Sequence, residues 1–317
     1  VTSFDELSGD VVLTRNDDWF GWEFYGEKTN IDVIKFMGIS EDTTRVSSLR
    51  SGEVSLIEYV PNDSVELLES EGFTTVSTPS YEHVYLGVTV SDGKVFSDYN
   101  LRLALSECID RQLICDSVLG AGTAANWGCN PGTMGYNGDN SFTYDVEDAK
   151  ALVEASGYDG SEIRFIVNTS EITRGSEVAQ AIQSMCMEIG LNVSVDMLEK
   201  ATFDEARSAG NYDMALAIMG TNLEDNNMEV AEVIGGDRFS SGFDNEELIA
   251  ICAEAMQHVD IETRSDYYEQ AYQIVFDNLY PNIALYYTES CIAYAGNISN
   301  ITSYTGGGYE LRFATID

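Results

Sequence analysis

The residues best suited to nucleophilic or metal chemistry are few. Two histidines, His83 and His258, stand far apart, so neither a Ser-His-Asp triad nor a histidine metal site is supported. Six cysteines, Cys108, Cys115, Cys129, Cys186, Cys252 and Cys291, form no CxxC pair and no zinc-ligand spacing. Cys108 and Cys115 fall about two turns apart on one expected helix, too far for a disulfide, and buried free thiols are expected. Carboxylates are abundant, but Asp98, Asp110 and Asp116 flank an expected helix and Asp145 and Asp148 open another. At such positions they cap orphan N–H groups and face the helix dipole. The run Glu224-Asp-Asn-Asn227 lacks the calcium-loop pattern, and Gly306-Gly-Gly308 lacks the spacing of a phosphate loop. With no nucleophile beside a base, the residues read as a binding protein rather than an enzyme. An α/β hydrolase or transferase is the alternative from another class, and it requires a histidine next to a Ser or Cys in a cleft.

One aromatic bears on binding. Trp127 sits in a Gly- and Asn-rich loop over 120–142, after the first long helix. Loops of that kind build ligand clefts in α/β sheets, so the ring is either a ligand wall or an anchor for its own loop.

The elements that must position these residues follow from periodicity and punctuation. Residues 1–88 read as short strands and helices, ending in a Tyr- and Val-rich strand over 81–90. A helix capped at Ser97 or Asp98 is expected to run to about Val118, with Leu101, Leu105, Cys108, Ile109 and Leu113 on one face. Further helices are expected from Asp145 to Gly157, over 176–189, over 202–209, over 244–257 and over 261–279. Strands over 163–167, 191–195, 212–219 and 281–287 alternate with them, and a last strand is expected over 309–316. This alternation predicts an α/β fold with a largely parallel sheet.

Composition bounds the partners. The chain has 317 residues, with 16 Lys+Arg against 54 Asp+Glu and a formal charge of −38. No basic cluster exists to hold polyphosphate, so nucleic acid is excluded as a partner, and anionic lipid surfaces are disfavoured. No run approaches the ~18 to 20 apolar residues that span a bilayer. The opening Val-Thr-Ser-Phe-Asp-Glu carries no signal-peptide pattern.

Four segments, taken in order, resemble one family. They are Val12-Leu-Thr-Arg-Asn-Asp-Asp-Trp-Phe-Gly21 followed by Thr44-Arg-Val-Ser-Ser-Leu-Arg-Ser-Gly-Glu-Val54; Tyr85-Leu-Gly-Val88 with Phe96-Ser-Asp-Tyr-Asn-Leu-Arg-Leu-Ala-Leu105 and Ile109-Asp-Arg111; Tyr144-Asp-Val-Glu-Asp-Ala-Lys-Ala-Leu-Val153 with Ser156-Gly-Tyr158; and Val178-Ala-Gln-Ala-Ile-Gln-Ser-Met185 with Ile189-Gly-Leu-Asn-Val193 and Gly210-Asn-Tyr-Asp-Met214. The series resembles the extracytoplasmic solute-binding proteins of peptide-type ABC importers, the dipeptide, oligopeptide and nickel-binding family 5. The resemblance implies a type II periplasmic-binding-protein-like α/β fold with two lobes and an interlobe cleft. One lobe would comprise residues 1–88 with a C-terminal return over 287–317, and the other 89–286. Hinge strands would lie near 85–90 and 283–287. Family members are longer, so the N-terminal part of one lobe is expected to be missing from this sequence.

What the resemblance implies about function is a binding component that carries a peptide to a membrane permease and its ATPase. It would work outside the cytoplasm, on the cell surface as a lipoprotein or in the periplasm, as a monomer and with no cofactor. Peptide binders of the family place a Trp and, three residues on, an Asp that pairs with the peptide's amino terminus. Those positions fall here on Met219 and Asn222, with Gly220 between them. An Arg that meets ligand carboxylates falls on Arg207, which matches; on a short helix it reads equally as a surface charge. A second such Arg falls on Leu216. Tyr85 and Tyr286 are expected at the pocket edge. Because Asn222 accepts a hydrogen bond but offers no charge, an oligosaccharide or other uncharged ligand is the variant of this reading. A ligand-sensing receptor domain is a further one.

Overall fold

A computed structural model describes residues 1–6, 9–26, 28–168, 171–220, 225, 230, 242, 245–279, 282–304, 306 and 308–317. The chain divides into two compact units, Val1–Pro79 with Glu289–Asp317, and Ser80–Thr288.

The first unit is built from small pieces. Strands Ser3–Phe4, Val11–Thr14 and Val33–Phe36 form an antiparallel sheet. Helices Asp42–Ser51 and Asn62–Ser70 bury Val46, Leu49 and Leu68 against Ile57, Cys291 and Ala293. Arg45 locks this corner by donating to the carbonyls of Ile39, Glu58 and Tyr59, satisfying groups that a loop would otherwise leave to water. The C-terminal tail is tied in by Asn30, whose amide donates to the Ile316 carbonyl at 2.7 Å. The sequence predicts one strand over 309–316, but the structure shows two, Tyr309–Glu310 and Thr315–Ile316, with a turn between them. An apolar groove of about 700 Å³, wholly inside this unit, is lined by Trp19, Trp22, Phe36, Tyr309, Leu311 and Arg312 among others.

The second unit is the larger core. Strands Ile163–Asn168, Val193–Leu198 and Met214–Gly220 are parallel, with Ile163–Asn168 in the middle. The expectation of a largely parallel sheet is corrected at the other edge. The long strand Thr74–Val88 pairs antiparallel with Met214–Gly220, and Asn282–Tyr294 continues the sheet beyond it. The sheet is mixed because these two long strands come from distant parts of the chain rather than from βαβ crossovers. Helices Tyr99–Glu107, Val146–Ser156 and Gly175–Glu188 cover one face, burying Leu101, Leu105, Ala149, Val178 and Ile182 against Val84, Leu86, Phe165 and Leu216. At ~25 cal/mol per Å² of apolar area removed from water, side chains of this kind give most of the favourable term. Helices Glu246–Ala255 and Ile261–Asn278 make a second cluster around Tyr268 and Tyr272.

Caps fall where short polar residues precede apolar runs. Asp98 accepts from the N–H groups of Asn100 and Leu101, and Asp145 from those of Glu147 and Asp148. The single helix expected to run to Val118 is broken, however. It stops at Glu107, and Asp110 caps a new start by accepting from Leu113 N–H at 2.8 Å. A π-helical turn, Ile114–Leu119, then closes at Gly120, whose φ of 71° is one that L side chains adopt rarely. Arg111 stands at the break. Its fully buried guanidinium donates to the carbonyls of Ala284 and Ser106, at 2.8 and 3.0 Å, and lies 4.1 Å from the centre of the Phe142 ring. It therefore satisfies a last-turn carbonyl that the helix leaves orphaned.

Candidate functional site

The three parallel strands end together at Asn168, Leu198 and Gly220. In open α/β sheets this carboxyl edge is where ligands bind. The antiparallel neighbour brings the start of its own segment to the same edge. Glu82 stands opposite Gly220, His83 opposite Met219, and Tyr85 opposite Ala217. Met219 and Gly220 therefore end a strand whose partner carries a carboxylate, an imidazole and a phenol. Met219 is half-buried and Gly220 exposed. Asn222 lies outside the described residues.

Two of the expected site residues meet. Arg207, on the helix Lys200–Ser208, is buried, and its Nη2 donates to the Tyr85 hydroxyl at 2.9 Å. Its guanidinium carbon also sits 5.5 Å from the centre of the Phe203 ring. The surface-charge reading of Arg207 is thereby corrected. The short helix packs Phe203 and Ala206 against Ile166, Tyr212 and Ala215, which turns Arg207 inward onto the sheet. Its planar guanidinium offers a rigid fork of donors.

Beside this pair lies a polar chain that the sequence did not signal. Asn130 uses its side-chain N–H groups on the carbonyls of Ser80 and Glu82, at 3.1 and 2.8 Å. Its Oδ1 is then the acceptor for His83 Nδ1 at 3.1 Å, which places the ring proton on Nδ1. His83 is fully enclosed, and burial holds its pKa down at about 4, against a smaller opposing effect of the Asn130 hydrogen bond. It is neutral at physiological pH. Glu82, in contrast, is exposed at the surface, yet partial burial of its carboxyl raises its pKa.

Two expected pocket residues are not at this edge. Trp127 is wholly enclosed. Its indole N–H donates to the Gly135 carbonyl at 2.8 Å, and its ring centre lies 5.2 Å from that of Phe276. Its backbone N–H donates to the Tyr287 hydroxyl at 3.0 Å. The ligand-wall reading is corrected to the loop anchor, because no face of the ring meets solvent. Tyr286 is buried in the helical core cluster, where burial pushes its phenol pKa up, and it pairs with Ala124 rather than lining an edge. All six cysteines are buried free thiols.

The fold is that of the type II periplasmic binding proteins. The chain superposes over 97% of its length on a substrate-binding protein, CtaP, of an ABC transporter from Listeria monocytogenes, with a TM-score of 0.84 at 18% identity, covering 64% of that chain. It superposes over 100% of its length on HbpA2 from Haemophilus parasuis, with a TM-score of 0.83 at 19% identity and 63% of that chain covered. Residues 1–237 match the model of the bacterial extracellular solute-binding proteins, family 5, middle region, and the chain belongs to that family. Among curated relatives, it is 23% identical over 309 residues to the oligopeptide-binding protein AppA of Bacillus subtilis, covering 91% of this chain and 55% of that protein. It is 27% identical over 201 residues to the periplasmic murein peptide-binding protein MppA of Escherichia coli, covering 60% of this chain and 37% of that protein. The chain thus spans about half the length, or less, of these curated relatives. No described helix is long and apolar enough to cross a membrane.

Proposed function

We propose that this chain belongs to the solute-binding component of an ABC importer. It binds an oligopeptide- or dipeptide-like solute and hands it to a membrane permease driven by an ATPase. The protein works outside the cytoplasm as a monomer, in the periplasm or tethered to the cell surface by lipid, and catalyses no reaction. The observation that carries this reading is the match of residues 1–237 to the family 5 solute-binding proteins. The carboxyl edge of the Ser80–Thr288 unit supplies compatible chemistry in the strand end Met219-Gly220, which can meet an extended backbone, while Tyr85, expected at the pocket edge, is enclosed and pairs with the buried Arg207. The oligosaccharide variant loses its stacking platform, since Trp127 is enclosed. Ligand-stabilised melting tests the reading. A peptide present at 100 times its Kd raises stability by about 2.7 kcal/mol. Stabilisation by a peptide and none by cello- or xylo-oligosaccharides is expected; stabilisation by the sugars alone refutes the peptide ligand.

A further inference from the structure

We propose that Asn297 is a site of N-linked glycosylation, taking an oligosaccharide from a lipid-diphosphate carrier. This rests on the extracytoplasmic reading above, because the acceptor motif is meaningful only in an exported protein. The sequence carries five Asn-x-Ser/Thr motifs with no proline at the middle position, beginning at Asn62, Asn168, Asn192, Asn297 and Asn300. The motif does not choose among them, but the structure does. An acceptor must present an amide nitrogen that is exposed and not committed to a hydrogen bond, with room for a bulky hydrophilic group. Asn168, at the end of a strand, is 1% exposed and fails at once. Asn62 is held in the first turn of the helix Asn62–Ser70. The Asn192 amide donates to the Gly160 carbonyl at 3.1 Å, and the Asn300 amide to the Thr315 hydroxyl at 3.3 Å. Asn297 is exposed, lies in a turn outside helix and strand, and its side chain makes no hydrogen bond among the described residues.

The turn that presents it is fixed from several sides. The Ile298 N–H donates to the Ala295 carbonyl at 2.9 Å, which closes the turn over Gly296 and Asn297. The Asp317 N–H donates to the Asn297 carbonyl at 2.9 Å. A Cβ on residue 296 would stand 2.9 Å from the Gly72 carbonyl oxygen, so glycine lets the turn seat closely on its neighbour. The backbone is therefore anchored while the Asn297 side chain stays in solvent, and a glycan there displaces no packed group. The motif's hydroxyl, on Ser299, shares a hydrogen bond with the Thr315 hydroxyl at 2.8 Å. A hydroxyl has one donor and two acceptor positions, so this contact leaves capacity for a further partner. In the transfer, the Asn297 amide nitrogen forms a bond to the anomeric carbon of the first sugar. The bond from that carbon to the diphosphate oxygen breaks, and the lipid diphosphate leaves with the electron pair. One amide proton passes to a base of the transferase, and nothing is oxidised or reduced.

The test is intact-mass spectrometry with peptide mapping on protein purified from its own cells after fractionation, as wild type, N297Q, S299A, S299T and N300Q. The wild type should exceed the mass of the bare chain by one oligosaccharide, carried on the peptide that contains Asn297. N297Q and S299A should return to the bare mass. S299T, which keeps the hydroxyl, and N300Q, which leaves the first motif intact, should retain the adduct. A bare wild-type chain recovered from outside the cytoplasm, or an adduct that survives N297Q or S299A, overturns the assignment and leaves the binding-protein reading standing. A chain recovered from the cytoplasm overturns the extracytoplasmic reading itself, and the glycan site falls with it.

Discussion

The buried imidazole of His83 makes the stability of the Ser80–Thr288 unit depend on acid, with a sign fixed by the structure. Its pKa is near 6.5 in an unfolded chain and about 4 in the fold, where desolvation dominates. Above 6.5 the ring is neutral in both states and titrates in neither. Between 6.5 and 4 the unfolded chain takes up a proton that the folded protein refuses, so stability falls as pH falls. Below 4 both states are charged and the loss is complete. At 1.36 kcal/mol per pH unit, the interval is worth roughly 3 kcal/mol. For a unit of roughly 210 residues, at 2–4 °C per kcal/mol, that is a fall of about 6–12 °C in Tm.

A second group opposes this. Glu107 is buried beside Asp148 and Asp145, and desolvation, followed by Asp148, raises its pKa to about 7. Its contribution is fully present below the unfolded value and is lost as pH rises through 7. The wild-type curve therefore sums two opposite slopes, and the informative quantity is the difference between the wild type and H83Q. Calorimetry at steps from pH 7 to pH 4 should show the wild type losing Tm faster than H83Q, by about 6–12 °C over the range. H83Q is expected to be less stable at pH 7, because it loses ring packing, so the slopes and not the offsets decide. Parallel slopes would refute the argument that a neutral, enclosed imidazole resists protonation.

Two further outcomes are expected. Arg111→Met removes the donors that satisfy the buried Ala284 and Ser106 carbonyls, and should cost about 2–4 kcal/mol by denaturant melts even though a buried charge is removed with them; an unchanged midpoint contradicts this account of the helix break. All six thiols are buried, with Cys252 pushed up to about 12 by desolvation, so a thiol reagent should find none in the native protein and six after unfolding; fast reaction at any native cysteine contradicts it.

Local features were legible in the sequence wherever a residue acts on its neighbours. Asp98 and Asp145 cap the helices they precede, because an Asp side chain needs only the next turn to find its partners. The helix Ile261–Asn278 follows from its own spacing. The break at residues 108–110 was hidden, because the apolar pattern runs on through it while Asp110 and Arg111 recruit partners that include a strand 173 residues away. The site was legible in part. The motif-based position of Arg207 is one that the fold joins to Tyr85 across 122 residues, but nothing local says that the guanidinium points inward. Trp127 could be read two ways, and only tertiary packing against Phe276 and Gly135 decides between them. Glu82 carries no motif at all. It gains its position from strand register, which two segments separated by more than a hundred residues set together.

The proposed function is the capture of a peptide. Calorimetric titration of purified protein with peptides of two to nine residues tests it most directly. Saturable 1:1 binding with a negative heat-capacity change is expected, the signature of apolar surface closing around a ligand. No saturable heat from any peptide, with an uncharged oligosaccharide binding in its place, would contradict the account.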